Sequence, residues 1–235
     1  MSKFRVLKWD RSGEKQLVAA EPIAAGEEVV REKPLVKVAT GDYALGTYAW
    51  DLAHELVSDA MLRDVYFSWQ LRGDDIFAVN AQDTEIEKHL AKRYNVPRAV
   101  VRKLYVGVGT NNIGYGPYDP DVRGHGLYEH LSRCNHSCDP SAAMVGSDAM
   151  TGELSCVAIK NIEQNQEITW NYLGEKNSFL KGNFLARNVA LVHHYGFACR
   201  CSRCRSEIPE DLKKVDLLHF FKTFLKEHAM KSLSA

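Results

Sequence analysis

Three thiols lie within six residues near the end of the chain, Cys199, Cys201 and Cys204 in the run CRCSRC. A C-x-C-x-x-C spacing suits a tetrahedral zinc ion with sulfur at about 2.3 Å, and a structural zinc site is closed by a fourth ligand. Cys134, Cys138, Cys156 and nine histidines are available for that position. Cys138 stands out, because in RCNHSCDPSA it follows a polar run and precedes Pro140, which puts it in a tight turn. Cys134 and Cys156 have neighbours that fit an apolar strand or turn interior, where free cysteine behaves as a small hydrophobe. If Cys138 closes the site, one zinc ties the middle of the chain to its end, and metal binding becomes folding energy. The clustering of the six cysteines reads as metal binding in a reducing compartment and against a disulfide framework. His193 and His194 read as a helix end, where a cationic imidazole complements the dipole.

Elements must hold these residues in place. FRVLKW, QLVAA and EEVVREKPLVKVA are short β-prone runs separated by the turn material RSGEK and PIAAGE, and predict a small meander of strands. From Tyr43 the period changes: Leu45, Tyr48, Leu52 and Leu56 recur at helical spacing. Thr84 three residues before Glu87 predicts a capping box, and Pro97 suits the first turn of a further helix carrying Val100, Val101 and Leu104. Residues 43–106 therefore read as a helical insertion, and GVGTNNIGYGPYDPDVRGHGL after it as a long irregular loop. ELSCVAIKNIEQNQEITWNYL predicts two strands around a polar turn, followed by a helical FLKGNFLARNVALVHHYG. Pro209 opens a terminal helix whose apolar face is Leu212, Val215, Phe221, Phe224 and Leu225.

The whole chain has 235 residues, 45% hydrophobic, with 30 Lys and Arg balancing 30 Asp and Glu. That is enough length for one substantial core. A formal net charge of zero without a long basic run gives no electrostatic footprint for sequence-independent nucleic-acid binding. No run approaches the roughly 20 apolar residues of a membrane span, and the start MSKFRVLKWD lacks the apolar core of a signal peptide. These features predict a soluble protein of the cytoplasm or nucleus.

Taken together, GHGLYEHLSRCNHSCDPSA, IEQNQEITWNYL, Arg187 with Leu191, and YGFACRCSRC resemble, in that order, the SET-domain protein lysine methyltransferases, and within them the SET and MYND branch. LVAAEPIAAGEEVVREKPL fits the family's opening, so the resemblance covers nearly the whole chain. It implies a mainly β fold with α insertions: a SET domain over 1–198, small sheets around a pseudoknot with the helical insert, then a zinc-binding post-SET segment and C-terminal helix over 199–235. It implies two cofactors, S-adenosylmethionine and zinc, and a protein or peptide lysine as substrate, with histone tails one class. Residue by residue, Asn135 and His136 contact the methyl donor through side chain and backbone, and Asn111 sits against its methionine end, with Asn112 the adjacent alternative. Phe197 stacks on its adenine, Tyr172 is the catalytic tyrosine, and Tyr195 is a second tyrosine lining the lysine channel. Cys138, Cys199, Cys201 and Cys204 match the family's zinc site. The chain departs from the family in two places. A G-x-G turn is replaced by GEKQL, which keeps Gly13 and leaves the backbone of Lys15 to reach the donor. Residues 1–133 contain no cysteine, hence no MYND finger. The alternative reading is a non-catalytic, zinc-stapled SET module that recruits protein partners.

Overall fold

The computed structural model describes residues 2–9, 14–39, 48–69, 81–115, 124–148, 150–173 and 182–232. Its strands are β1 (Phe4–Trp9), β2 (Glu14–Ala19), β3 (Glu28–Glu32), β4 (Val36–Ala39), β5 (Asn112–Tyr115), β6 (Gly124–Leu127), β7 (Asn135–His136), β8 (Ala142–Asp148), β9 (Glu153–Ala158) and β10 (Thr169–Trp170). Its α-helices are α1 (Tyr48–Ser58), α2 (Ala60–Ser68), α3 (Ala81–Tyr94), α4 (Arg98–Asn111), α5 (Phe184–Tyr195), α6 (Ser202–Glu207) and α7 (Leu217–Ser232). The chain falls into two compact units, residues 1–135 with 142–168, and residues 136–141 with 169–235. Among the described residues no helix is long and apolar enough to cross a membrane.

The first unit holds three of the small sheets, but they are not the expected meander. β1 and β2 do pair, Phe4 opposite Ala19 and Trp9 opposite Glu14. β3 instead pairs with β9, which pairs with β8, while β4 pairs with β6, which pairs with β5. Pro34 separates the two halves of EEVVREKPLVKVA, because a residue without an N–H interrupts a ladder. The loop expected over residues 107–127 is also corrected. Its first five residues complete α4, and β5 and β6 then pair antiparallel; residues 116–123 lie outside the described segments. Two asparagines end the helix by satisfying its last carbonyls, Asn111 Nδ2 donating to Gly107 at 2.7 Å and Asn112 Nδ2 to Val108 at 2.9 Å.

The helical insert has its own apolar core of Leu52, Leu56, Val101, Leu104 and Val108. The Trp50 ring stacks on Tyr105 at 3.9 Å, and its Nε1 donates to Asp83 at 2.8 Å. The predicted capping box is not used, because α3 already starts at Ala81, which places Thr84 inside it. Glu87, 3% exposed, instead accepts from Arg98 and Arg102 on α4. Pro97 does precede the first turn of α4. Tyr43 and Leu45, assigned to the insert's first helix, lie outside the described residues.

The second unit packs α5 and α7 around Phe184, Leu191, Leu217 and Phe221. The terminal helix expected from Pro209 is in two parts, a 3-10 turn over Glu210–Leu212 and α7 from Leu217; Leu212 and Phe221 are buried as expected, whereas Val215 and Phe224 are 36% and 37% exposed. Asn183 caps the start of α5, its side chain accepting from Ala186 N–H. Gly196 ends it with φ 71°, a left-handed turn that releases Phe197 and the cysteine run in a new direction. Gly196→Ala is expected to cost about 1–2 kcal/mol of stability, because a Cβ is strained in that region. Thermal denaturation measures it, and an unchanged melting temperature would contradict the capping role.

Candidate active site and metal centre

The second unit brings Cys138, Cys199, Cys201 and Cys204 together, their sulfurs all within 4.8 Å of one another. Four sulfurs at about 2.3 Å from one tetrahedral ion would lie about 3.8 Å apart, so a small inward movement converts this cluster into a zinc site. Cys134 and Cys156, read as core thiols, are fully buried in the first unit. The bond between Cys204 and Cys138 lowers the Cys204 pKa to about 7, and the bond to Cys138 pushes Cys199 well up. A divalent cation would let all four ionise.

Two side chains that sequence reasoning did not place in the site sit against these sulfurs. Arg187, 0% exposed, donates to the Gly182 carbonyl at 2.7 Å and to Cys204 Sγ at 3.5 Å, and pairs with Glu207 at 2.8 Å. Burial works against its charge, but the bonds to Cys204, Glu207 and Cys138 outweigh that and raise its pKa. A zinc ion with four thiolates carries two net negative charges, and Arg187 offsets one of them within the unit. Asn188, also fully buried, accepts the Cys199 N–H at 2.6 Å and donates to the Phe184 carbonyl at 3.0 Å. The signal in the sequence was the polar pair Arg187-Asn188 on the inward face of an otherwise apolar helix.

Beside the thiols stands a group of rings from the same unit. Tyr172 lies 5.1 Å from Tyr195, 5.2 Å from Trp170, 5.3 Å from His136 and 6.2 Å from Phe197. The backbone of Tyr172 is held at both ends: its N–H donates to His136 Nδ1 at 3.1 Å, and its carbonyl accepts from the Tyr195 hydroxyl at 3.0 Å. Burial lowers the His136 pKa to about 4, so the ring is neutral near pH 7. The structure thus brings together four of the seven residues expected at the donor and catalytic site: His136, Tyr172, Tyr195 and Phe197.

Lys15, Asn111 and Asn135 belong to the first unit. Asn135 Nδ2 donates to Glu167 Oε1 at 2.7 Å. Burial raises the Glu167 pKa and the Asn135 amide pulls it back. Glu167 was not expected as a site residue. Its backbone is fixed on β2 by the Val18–Glu167 bridge and by the Ile168 N–H donating to the Leu17 carbonyl at 2.8 Å. Asn111 uses its amide on α4, and its backbone carbonyl accepts from the Ser132 hydroxyl at 2.8 Å. Lys15, expected in a turn, lies within β2 opposite Lys8, and its Nζ donates to the Trp69 carbonyl at 3.2 Å. Pairing with β1 continues to Glu14, which is why the residues after Gly13 are extended; Gly13 itself is outside the described segments.

Residues 14–173 match the family model described as "SET domain". The chain belongs to the SET-domain family. Its fold is therefore the mixed one that the motifs imply, small sheets and several helices, carrying a cysteine cluster that could hold zinc. Three relatives align with parts of this SET-domain chain. The histone-lysine N-methyltransferase ATXR2 of Arabidopsis thaliana is 31% identical over 88 residues, 37% of this chain and 17% of the relative. The histone-lysine N-methyltransferase ASHR1 of Arabidopsis thaliana is 32% identical over 107 residues, 44% of this chain and 21% of the relative. The histone-lysine N-methyltransferase SMYD3 of Homo sapiens is 31% identical over 111 residues, 40% of this chain and 24% of the relative. The SET-domain chain thus aligns with less than a quarter of each relative's length.

Proposed function

We propose that this SET-domain chain transfers a methyl group from S-adenosylmethionine to the side-chain amine of a protein lysine, with histone tails one substrate class, in the nucleus or cytoplasm. The observation that supports this reading best is the fixed backbone of Tyr172 inside a group of rings beside a four-thiol site. When bound, the donor supplies an electrophilic methyl on a sulfonium, whose C–S bond breaks as the N–C bond forms. The chain's task is alignment, because an in-line displacement depends on holding the amine behind the methyl carbon. Lysine has an ordinary pKa of about 10.4, and the positive sulfonium of a bound donor would disfavour a second charge beside it, so the proton leaves to solvent before transfer. The tyrosine faces accommodate the cationic methylated product. In this reading the Asn135 side chain, the His136 backbone and Phe197 contact the donor, Asn111 its methionine end, and the backbone of Lys15 reaches it. Cys138, Cys199, Cys201 and Cys204 hold zinc, which here supplies structure.

One observation favours the second reading, a zinc-stapled module that recruits protein partners without catalysis. The backbone of Lys15 sits in the β1–β2 ladder where the family has a glycine turn for the donor. Calorimetry with S-adenosylmethionine separates the two. The native chain should bind the donor, and Asn135→Ala or Glu167→Ala should weaken binding about tenfold, since each breaks the bond that orients the Asn135 amide. No heat with the native, zinc-loaded chain would favour the recruiting module.

A further inference from the structure

The two ring nitrogens of His136 face two different parts of the second unit. Nδ1 accepts the Tyr172 N–H at 3.1 Å. A nitrogen that accepts from an N–H carries no proton, so in the neutral ring the proton lies on Nε2. Nε2 stands 3.3 Å from Cys138 Sγ. Its N–H is therefore aimed at a sulfur that, as a metal-bound thiolate, is a good acceptor and is fixed in place. The ring has little freedom to turn, since Tyr172 packs on it at 61° and Phe197 at 55°. Ser137, between the histidine and the cysteine, donates its N–H to the Trp170 carbonyl at 3.0 Å, which ties the same short segment to β10.

We infer that the His136 side chain is a strut through which the filled thiol site sets the position of Tyr172. It is a positioning residue, and the inference rests on the methyl-transfer reading only for its effect on rate. With zinc bound, Cys138 is anchored, the imidazole is held by its Nε2 end, and Nδ1 holds the Tyr172 amide. The Tyr195 hydroxyl holds the other peptide group of the same residue. With zinc absent, Cys138 Sγ is left with neighbours such as Cys204 Sγ at 3.5 Å, the anchor loosens, and Tyr172 loses one of its two backbone restraints. Zinc would then support the rate of the reaction without touching donor or lysine. The donor contact that the family resemblance gives His136 is made by its backbone, so loss of the ring should spare donor affinity.

Hydrogen exchange at the Tyr172 amide, read by NMR on the whole zinc-loaded chain, tests this directly. Three variants divide the strut. His136→Phe keeps a ring and removes both nitrogens, His136→Asn offers an acceptor near the Nδ1 position, and His136→Gln offers a donor near the Nε2 position. With zinc retained at one per chain, exchange at Tyr172 should rise at least tenfold in all three, because His136→Asn keeps the acceptor but loses the link to Cys138, and His136→Gln keeps the donor but loses the acceptor. The α5 amides serve as the folding control and should be unchanged in all three. Turnover of His136→Phe should fall about tenfold or more, with donor affinity within threefold of native. Native exchange at Tyr172 in His136→Phe, with zinc and α5 protection intact, would overturn the strut. A native chain with no turnover would remove the methyl-transfer reading while the exchange result still decided the strut.

Discussion

Cys199→Ser is expected to strip the chain of zinc and unfold its second unit. The hydroxyl is a poor ligand, and the three sulfurs left behind are buried or half-buried in the core that also holds Phe184, Leu191 and Phe221. Buried thiolates without a cation are costly, so they protonate and the cluster no longer ties residues 136–141 to 199–204. The apparent contribution of a structural zinc is on the order of 10 kcal/mol, against a total stability of about 5–15 kcal/mol for a typical domain. The expected result is less than one zinc per ten chains and a melting transition lost or lowered by tens of degrees. Cys156→Ala is the contrast: this thiol is fully buried in the first unit and outside the cluster, so zinc should stay at one per chain. A chelator should reproduce the Cys199→Ser result on the native chain, and Arg187→Met should speed zinc release, because it removes the cation that donates to Cys204. One zinc per chain and a native melt in Cys199→Ser would contradict the four-thiol site.

Tyr172→Phe is expected to lower turnover about 100-fold while leaving donor affinity and melting temperature near native. The substitution removes one oxygen from a ring whose backbone is fixed by His136 and Tyr195 and whose faces meet Trp170, Tyr195 and Phe197. Packing is retained, so the fold should not respond. What is lost is a hydroxyl that can align the lysine amine, and misplacement of a reacting group by about 1 Å is enough for a 100-fold loss. Tyr195→Phe acts by another route, because its hydroxyl donates to the Tyr172 carbonyl; a smaller loss of turnover is expected there, with faster exchange in the segment around Tyr172.

Much of this could be read from local sequence. The CRCSRC spacing and the turn around Cys138 pointed to the metal site, Pro97 marked the start of α4, and the β1 and β2 runs were legible because their pattern is local. What escaped was set by distant partners. Nothing within EEVVREKPLVKVA says that its first half pairs with β9 and its second with β6, since register is decided by strands about 90 to 125 residues away. The Thr84 capping box had the right spacing, but α3 starts at Ala81 and Thr84 lies inside it. The Gly- and Asn-rich run over 107–127 looked irregular because its asparagines were counted as turn formers; Asn111 and Asn112 instead close the end of a helix. In the candidate site, residue types were legible and their second contacts were not. His136 read as a donor residue, yet its ring lies between Tyr172 and Cys138; Arg187 read as part of a motif, yet its charge meets the sulfurs.

Methyl transfer to a protein lysine should depend on Tyr172 and its neighbours. The most direct test is incorporation of label from methyl-labelled S-adenosylmethionine into histones and into proteins of a cell extract, with the zinc-loaded native chain and Tyr172→Phe compared side by side and the modified residue identified by mass spectrometry. Label on lysine is expected with the native chain, and about 100-fold less with Tyr172→Phe. Label that is equal for the two proteins, or absent from lysine in every fraction while zinc is bound, would contradict this expectation.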